Sequence, residues 1–257
     1  MRSEPTAPRV TYESRFWDKQ VAEGRRISTG NWYTEVSRWL WEGMMDFVGD
    51  LGGKRVLFVG CGESSAAAVE MADRGATVWC VDISPASIGK IIRHAEAHRA
   101  HAVHAIVADA EHMPFKDGSF QIVVGKAVLH HLEVQRFMAE LRRVCSPGGI
   151  FVFSEPLGTN PLINLFRRLT PTLRVPTEHP FTRDDIEGIR RHCASLRLKH
   201  SLFLALGSLP WFLVGLRPLG RFFFRLLRWA DQVLFAVCPP TRWLAWNVTL
   251  AGRVTSG

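Results

Sequence analysis

The spacing of apolar and polar positions changes several times along the chain, and each change marks an element. Between Trp32 and Val48 the apolar residues Val36, Leu40, Met44 and Phe47 recur at three- and four-residue steps, which predicts a helix that Gly52-Gly53 ends. Short apolar runs then alternate with helical patterns: strand 55–60, helix 64–74, strand 76–81, helix 85–98, strand 103–108, strand 120–125, helix 133–144 and strand 149–155. The first three runs are apolar almost throughout, as parallel strands covered on both faces require. The alternation predicts a doubly wound α/β fold with a mostly parallel sheet.

Beyond Pro156 the pattern loosens. Prolines at 156, 161, 171, 176 and 180 predict a structured loop with one short helix. Thr182-Arg183-Asp184-Asp185 has the form of a capping box with Asp in place of Glu and opens a helix to about Cys193. Leu196, Leu198, His200, Leu202 and Leu204 alternate as in a strand, residues 209–238 are dense apolar helix material, and Trp243–Val254 reads as a last strand. Residues 1–20 are expected to form a frayed or docking arm. With neither repeat nor low-complexity tract, a single domain is expected: an N-terminal helical arm or cap over 1–50, a core over 52–156, and a loop, apolar helices and final strands over 157–257.

Composition sharpens this. The 257 residues are 47% hydrophobic, enough to bury one sizeable core. Charge is uneven. Residues 1–160 carry 18 Lys and Arg against 19 Asp and Glu, whereas residues 161–257 carry 14 against 5. A basic second part suits an anionic partner, though a solvated arginine face reads the same way. Arg217, Arg221, Arg225 and Arg228 share one helical face, with Phe222, Phe223, Leu226, Leu227 and Trp229 over the others. That is the composition of a helix lying at a membrane interface, or of one covering the sheet or a second copy of the chain. No nucleic-acid motif or base-stacking aromatic stripe accompanies the arginines, so nucleic acid is not an expected partner. The apolar run Leu202–Leu216 contains Gly207, Pro210 and Gly215 and falls short of a membrane span. Five scattered cysteines (61, 80, 145, 193 and 238) point to reduced thiols, with neither a disulfide frame nor a metal site expected. The polar N-terminus lacks an apolar leader core. A cytosolic protein is expected, with peripheral membrane attachment left open.

The candidate chemistry starts at Gly60-Cys61-Gly62-Glu63-Ser64, between a predicted strand and a predicted helix. Glycines let a ligand approach the backbone, and the helix start offers free N–H groups. A pyrophosphate ligand usually requires a third glycine; here Ser65 stands there and Glu63 adds an anion, which suits a cationic or zwitterionic ligand better. A plain tight turn is the alternative. Asp82 ends the next strand, 20 residues past Gly62, where a carboxylate can accept both hydroxyls of a ribose, or simply cap the helix before Pro85.

Two further strings decide the reading: Asp109-Ala110-Glu111-His112-Met113-Pro114-Phe115-Lys116-Asp117-Gly118-Ser119-Phe120, and Leu141-Arg142-Arg143-Val144-Cys145-Ser146-Pro147-Gly148-Gly149. With the glycine turn they resemble the class I S-adenosylmethionine-dependent methyltransferases, in the type 11 group related to ubiquinone and menaquinone methyltransferases. The resemblance covers about 52–156. It implies a Rossmann-like seven-stranded sheet with an antiparallel last strand, which the strands at 196–204 and 243–254 would complete. It also implies S-adenosylmethionine as cofactor, S-adenosylhomocysteine as product, and a small, lipophilic methyl acceptor such as a quinone precursor, polyketide or lipid, methylated at oxygen or carbon. By the same resemblance Gly60 and Gly62 lie by the methionine and ribose, Asp82 binds the ribose with Ile83 against the adenine, Asp109 and the Ala110 backbone take the adenine edge, and Gly125 and Lys126 lie under the methionine end. The family commonly has an acid before the Gly-x-Gly. This chain has Phe58-Val59, so the cofactor's amino group is expected to meet Glu63 or backbone carbonyls.

A hydroxyl or carbon acid must lose its proton during transfer. His131 is the first choice of base and His130 the second. Glu178-His179, in the Pro-rich loop, and Glu155 are further candidates. A nicotinamide oxidoreductase and a binding protein without turnover are the rival readings.

Overall fold

Seven of the apolar runs pair into one sheet: β1 (Arg55–Val59), β2 (Thr77–Asp82), β3 (Val103–Val107), β4 (Phe120–Lys126), β5 (Cys145–Pro156), β6 (Cys193–Ser201) and β7 (Asn247–Val254). The strand order is β3-β2-β1-β4-β5-β7-β6. β1 to β5 are mutually parallel, and β7 inserts antiparallel between β5 and β6. The computed structural model describes residues 9–23, 31–62, 64–170 and 178–255. The order reverses between β1 and β4, and in such sheets the crevice beyond the carboxyl ends at that reversal is where ligands bind.

Helices cover both faces: α1 (Arg9–Glu23), α2 (Trp32–Val48), α3 (Ser65–Asp73), α4 (Pro85–Ala97), α5 (Val134–Val144), α6 (Pro161–Leu169), α7 (Arg183–Arg190), α8 (Leu209–Leu213) and α9 (Arg217–Val237). On one face Phe137, Met138 and Leu141 of α5 pack with Phe151, Phe153 and Leu250 of the sheet. On the other, Trp41, Met44 and Val48 of α2 pack with Val56, Phe58 and Val124. Thr182 and Asp185 make both halves of the expected capping box, starting α7.

Of the expected frayed or docking arm, residues 9–23 form a docked helix; residues 1–8 lie outside the described residues. The periodicity gave no warning because the residue that α1 buries is a charged one, Glu13. α1 is held by polar contacts. Asp18 accepts from Ser84 Oγ (2.6 Å) and from the Ala86 N–H (3.0 Å) at the start of α4, and Arg9 pairs with Glu111. The stretch 209–238 is two helices, broken where Gly215 takes φ 80°. β7 begins at Asn247 because Pro239–Leu244 winds into a 3₁₀ turn.

Candidate functional site

The glycine turn follows β1 directly. Gly60 (φ 59°) donates to Val81 O at 2.9 Å, which brings the turn against the end of β2. A side chain on Gly60 would meet Val128 Cγ2 at 2.4 Å, so its absence is a packing requirement. Gly62 (φ 49°) faces open space, so its bareness leaves the mouth of the crevice clear. Asp82 ties the two segments together: one carboxylate oxygen accepts the Gly62 N–H (2.7 Å), the other the Ser84 N–H (2.9 Å). Burial pushes its carboxyl above the usual range, while the three backbone donors of Gly62, Ile83 and Ser84 pull the other way. Glu63 lies outside the described residues.

The loop after β3 is pinned by the second sequence string. Arg143, on α5, donates to Met113 O (2.9 Å) and Phe115 O (2.6 Å) and pairs with Asp117 (2.9 Å) and Glu140 (2.7 Å). This fork is why the two strings occur together: the arginine of one holds the carbonyls of the other. The loop so held presents Asp109, whose carboxylate accepts the Glu111 N–H (2.9 Å), with Ala110 buried behind it. Between this loop and α1 lies a cavity of about 320 Å³, walled by Ile83, Val107, Asp109, Val10, Thr11 and Ser14. Val10, Ile83 and Val107 beside the Asp109 carboxylate suit the faces and amino edge of a planar heterocycle, and Thr11, Ser14 and Arg15 make the α1 side polar.

Lys126, at the end of β4, runs to α2, where its ammonium contacts Ser37 Oγ and, at 3.4 Å, Ser37 O. Burial lowers its pKa to about 8. It borders a small cavity of about 60 Å³ with Tyr33, Ser154 and Asn247.

The histidines occupy a 3₁₀ turn, Leu129–His131, just past β4, and they differ sharply. His130 Nδ1 donates to Glu155 Oε2 at 2.8 Å; Glu155 is fully buried at the end of β5, and its other oxygen accepts the N–H groups of Val128 (2.9 Å) and Leu129 (3.0 Å). Glu155 fixes both the backbone of the turn and the ring of His130, leaving Nε2 as the ring's free acceptor. His131 Nδ1 is buried without a hydrogen-bond partner, and Trp17 of α1 meets its ring edge-on at 5.5 Å. Burial, reinforced by His130, His179, Arg9 and Arg167, lowers its pKa to about 2. A nitrogen so placed takes a proton reluctantly, so of the two histidines the geometry favours His130, whose ring Glu155 orients, over His131, the first choice from the sequence.

Glu178 and His179 lie against this turn. The His179 N–H donates to His130 O (3.2 Å), and its ring sits 3.9 Å from Asp185 on α7. Glu178 pairs with Arg167 of α6 at 3.6 Å, and it also shares a cluster with His130 and His131 in which the potential ligand atoms lie within 4.8 Å of one another. Residues 171–177 of the expected crossing loop lie outside the described residues. Sequence reasoning missed Arg9, Trp17 and Arg167, and no spacing or motif marks them.

A family model described as a methyltransferase domain matches residues 57–153, the stretch that carries Gly60, Gly62, Asp82, Asp109 and His130. Over these residues the chain is similar to methyltransferases. The phthiotriol/phenolphthiotriol dimycocerosates methyltransferase of Mycobacterium tuberculosis (strain H37Rv) is 32% identical to the chain over 143 residues, 54% of this chain and 52% of that protein. The chain thus spans about half the length of the curated relatives it matches. The likeness of fold extends beyond the matched residues. Geranyl diphosphate C-methyltransferase from Streptomyces coelicolor A3(2), solved with Mg²⁺, geranyl diphosphate and S-adenosylhomocysteine, is 15% identical with a TM-score of 0.65, covering 98% of this chain and 100% of that one. The cyclase SpnF is 20% identical with a TM-score of 0.63 and covers 100% of both chains. Likeness at these identities is likeness of fold, and a cyclase among the neighbours shows that the fold does not by itself name the reaction.

Proposed function

We propose that the chain transfers a methyl group from S-adenosylmethionine to an oxygen or carbon acid on a small lipophilic acceptor, with the His130–Glu155 pair taking the acceptor's proton. The observation that carries this is that pair: a histidine oriented by a buried carboxylate, one turn of chain away from the residue that packs on Gly60.

The chain's residues suit the cofactor. The Gly60–Gly62 turn leaves room for the methionine and ribose, and Asp82 offers a carboxylate to the ribose hydroxyls. The slot beside Ile83, Ala108 and Asp109, bordered by α1 and followed in the chain by Ala110, takes the adenine. Val59 is fully buried, so β1 supplies no acid to the methionine amino group; the Gly60 region offers carbonyls instead, and Lys126 offers a cation to the methionine carboxylate.

S-adenosylmethionine supplies an activated methyl bonded to a sulfonium. The chain's own work is alignment and proton removal. Holding both partners for in-line attack supplies several kcal/mol of the barrier. As the acceptor's bond to carbon forms and the carbon–sulfur bond breaks, His130 Nε2 receives the acceptor proton, and Glu155 stabilises the resulting imidazolium through Nδ1. His131, with Trp17 edge-on to its ring, forms part of the wall beside His130. A lipophilic acceptor is supported by the acceptors named for the M. tuberculosis and S. coelicolor proteins. Incubation with methyl-labelled S-adenosylmethionine and a panel of lipophilic phenols, alcohols and β-keto acids tests the proposal. Label should pass to at least one class and should depend on His130. Binding of S-adenosylhomocysteine with no transfer to any class would count against it.

A further inference from the structure

α9 buries one face and leaves the opposite one bare. Gly220, Phe224, Asp231 and Phe235 point inward. Gly220 packs on Phe212, and Phe224 meets Trp39 of α2 edge-on at 6.0 Å. Asp231 accepts the backbone N–H groups of Phe203 (3.1 Å), Leu204 (2.7 Å) and Ala205 (3.3 Å). The helix is therefore fixed to the body of the protein without using its outer side. On that outer side Leu219, Phe222, Leu226, Trp229, Val233 and Val237 follow one another at three- and four-residue steps, all exposed, Trp229 at 65% and Val237 at 79%. The stripe runs about 27 Å at 1.5 Å per residue. An apolar stripe of that length on a water-facing helix is an interaction surface.

The four arginines share one face of α9, as their spacing predicts, and that face lies beside the apolar stripe. Arg228 stacks over Trp39 at 4.5 Å and Arg221 pairs with Glu35 at 2.7 Å, so these two turn toward α2 and flank the stripe. Arg225 is exposed. Within α9 four arginines stand against one acid, Asp231, which is buried; the acids nearest those arginines, Glu35 and Glu42, lie on α2, toward which Arg221 and Arg228 turn. A second copy docked through this face would bring like charges together, whereas an anionic lipid surface would be attracted. No helix among the described residues is long and apolar enough to cross a membrane.

We infer that the outer face of α9 docks on an anionic lipid monolayer, with Phe222, Leu226 and Trp229 entering the headgroup boundary. α9 then lies in the plane of the interface, as amphipathic helices with aromatic anchors do. The inference gives the lipophilic acceptor proposed above a place to be met, but it stands on the surface alone. The test needs no turnover.

The full chain is co-sedimented with phosphatidylcholine vesicles with and without phosphatidylglycerol, at low and high salt, with light scattering on the same samples. Binding is expected with phosphatidylglycerol, weaker at high salt, by a monomer. The variant Phe222→Ser/Leu226→Ser/Trp229→Ser should lose about tenfold or more of the bound fraction, and Arg225→Glu should lose part of it at low salt only. Circular dichroism and S-adenosylhomocysteine binding report whether each variant is folded, and Trp229→Ser alone serves if the triple variant is not. Failure to bind phosphatidylglycerol vesicles, or undiminished binding by the folded Ser variants, would overturn the inference, as would a dimer that those substitutions dissociate.

Discussion

His130 Nδ1 donates to Glu155 Oε2 at 2.8 Å, while the other oxygen of that carboxylate holds the backbone of Val128 and Leu129. One buried side chain thus positions both the base and the turn that bears it. His130→Gln should lower turnover by about 10²–10⁴ while S-adenosylhomocysteine affinity stays near wild type. His131→Asn should leave turnover close to wild type. The pH–rate profile of His131→Asn should match that of the wild type, because His131, with a pKa of about 2, does not titrate near neutrality. Equal losses in both variants would remove the distinction between them.

The two glycines of the turn should fail differently. Gly60→Ala drives a methyl group to 2.4 Å from Val128 and should lower thermal stability. Gly62→Ala meets nothing within 4 Å and should cost only the strain of a positive φ, about 1 kcal/mol, but it obstructs the crevice and should weaken S-adenosylhomocysteine binding. Thermal melts and calorimetry on the same pair of variants check this.

Asp82→Ala removes an acceptor that the ribose hydroxyls would use and that now holds Gly62 and Ser84. A hydrogen bond to a charged group is worth about 1.5–3 kcal/mol, so S-adenosylhomocysteine affinity should fall roughly ten- to a hundredfold. Unchanged calorimetric affinity would reject the role given to Asp82.

Lys126 predicts a pH-dependent stability. Its folded pKa, about 8, lies below the unfolded value of 10.5, so burying the charged form costs stability in full below about pH 8, and the cost fades between the two values. Lys126→Met should therefore be more stable than wild type at pH 7, with the gap closing toward pH 10.5. A gap that does not change with pH would place the effect in packing.

Much of the fold could be read from the chain because it rests on local signals. Strands covered on both faces are apolar runs, Gly60 and Gly62 stand where the chain turns, and Asp82 ends its strand. The rest depends on which side chains meet across the fold. Two adjacent histidines look alike until Glu155, 25 residues after His130, selects one of them. α1 buries Glu13 in place of an apolar stripe, so it has no period to find. The arginine spacing on α9 was legible, but its direction was set by Trp39 and Glu35 on α2, which no spacing within α9 reveals.

The proposed cofactor crevice lies beyond the carboxyl ends of β1 and β2, under α1. Calorimetric titration of the full chain with S-adenosylhomocysteine, and in parallel with NADH, tests it most directly. Saturable, one-site binding of S-adenosylhomocysteine that Asp82→Ala and Gly62→Ala both weaken is expected, with no binding of NADH. Binding of NADH in its place, or no binding of S-adenosylhomocysteine to the folded protein, would contradict it.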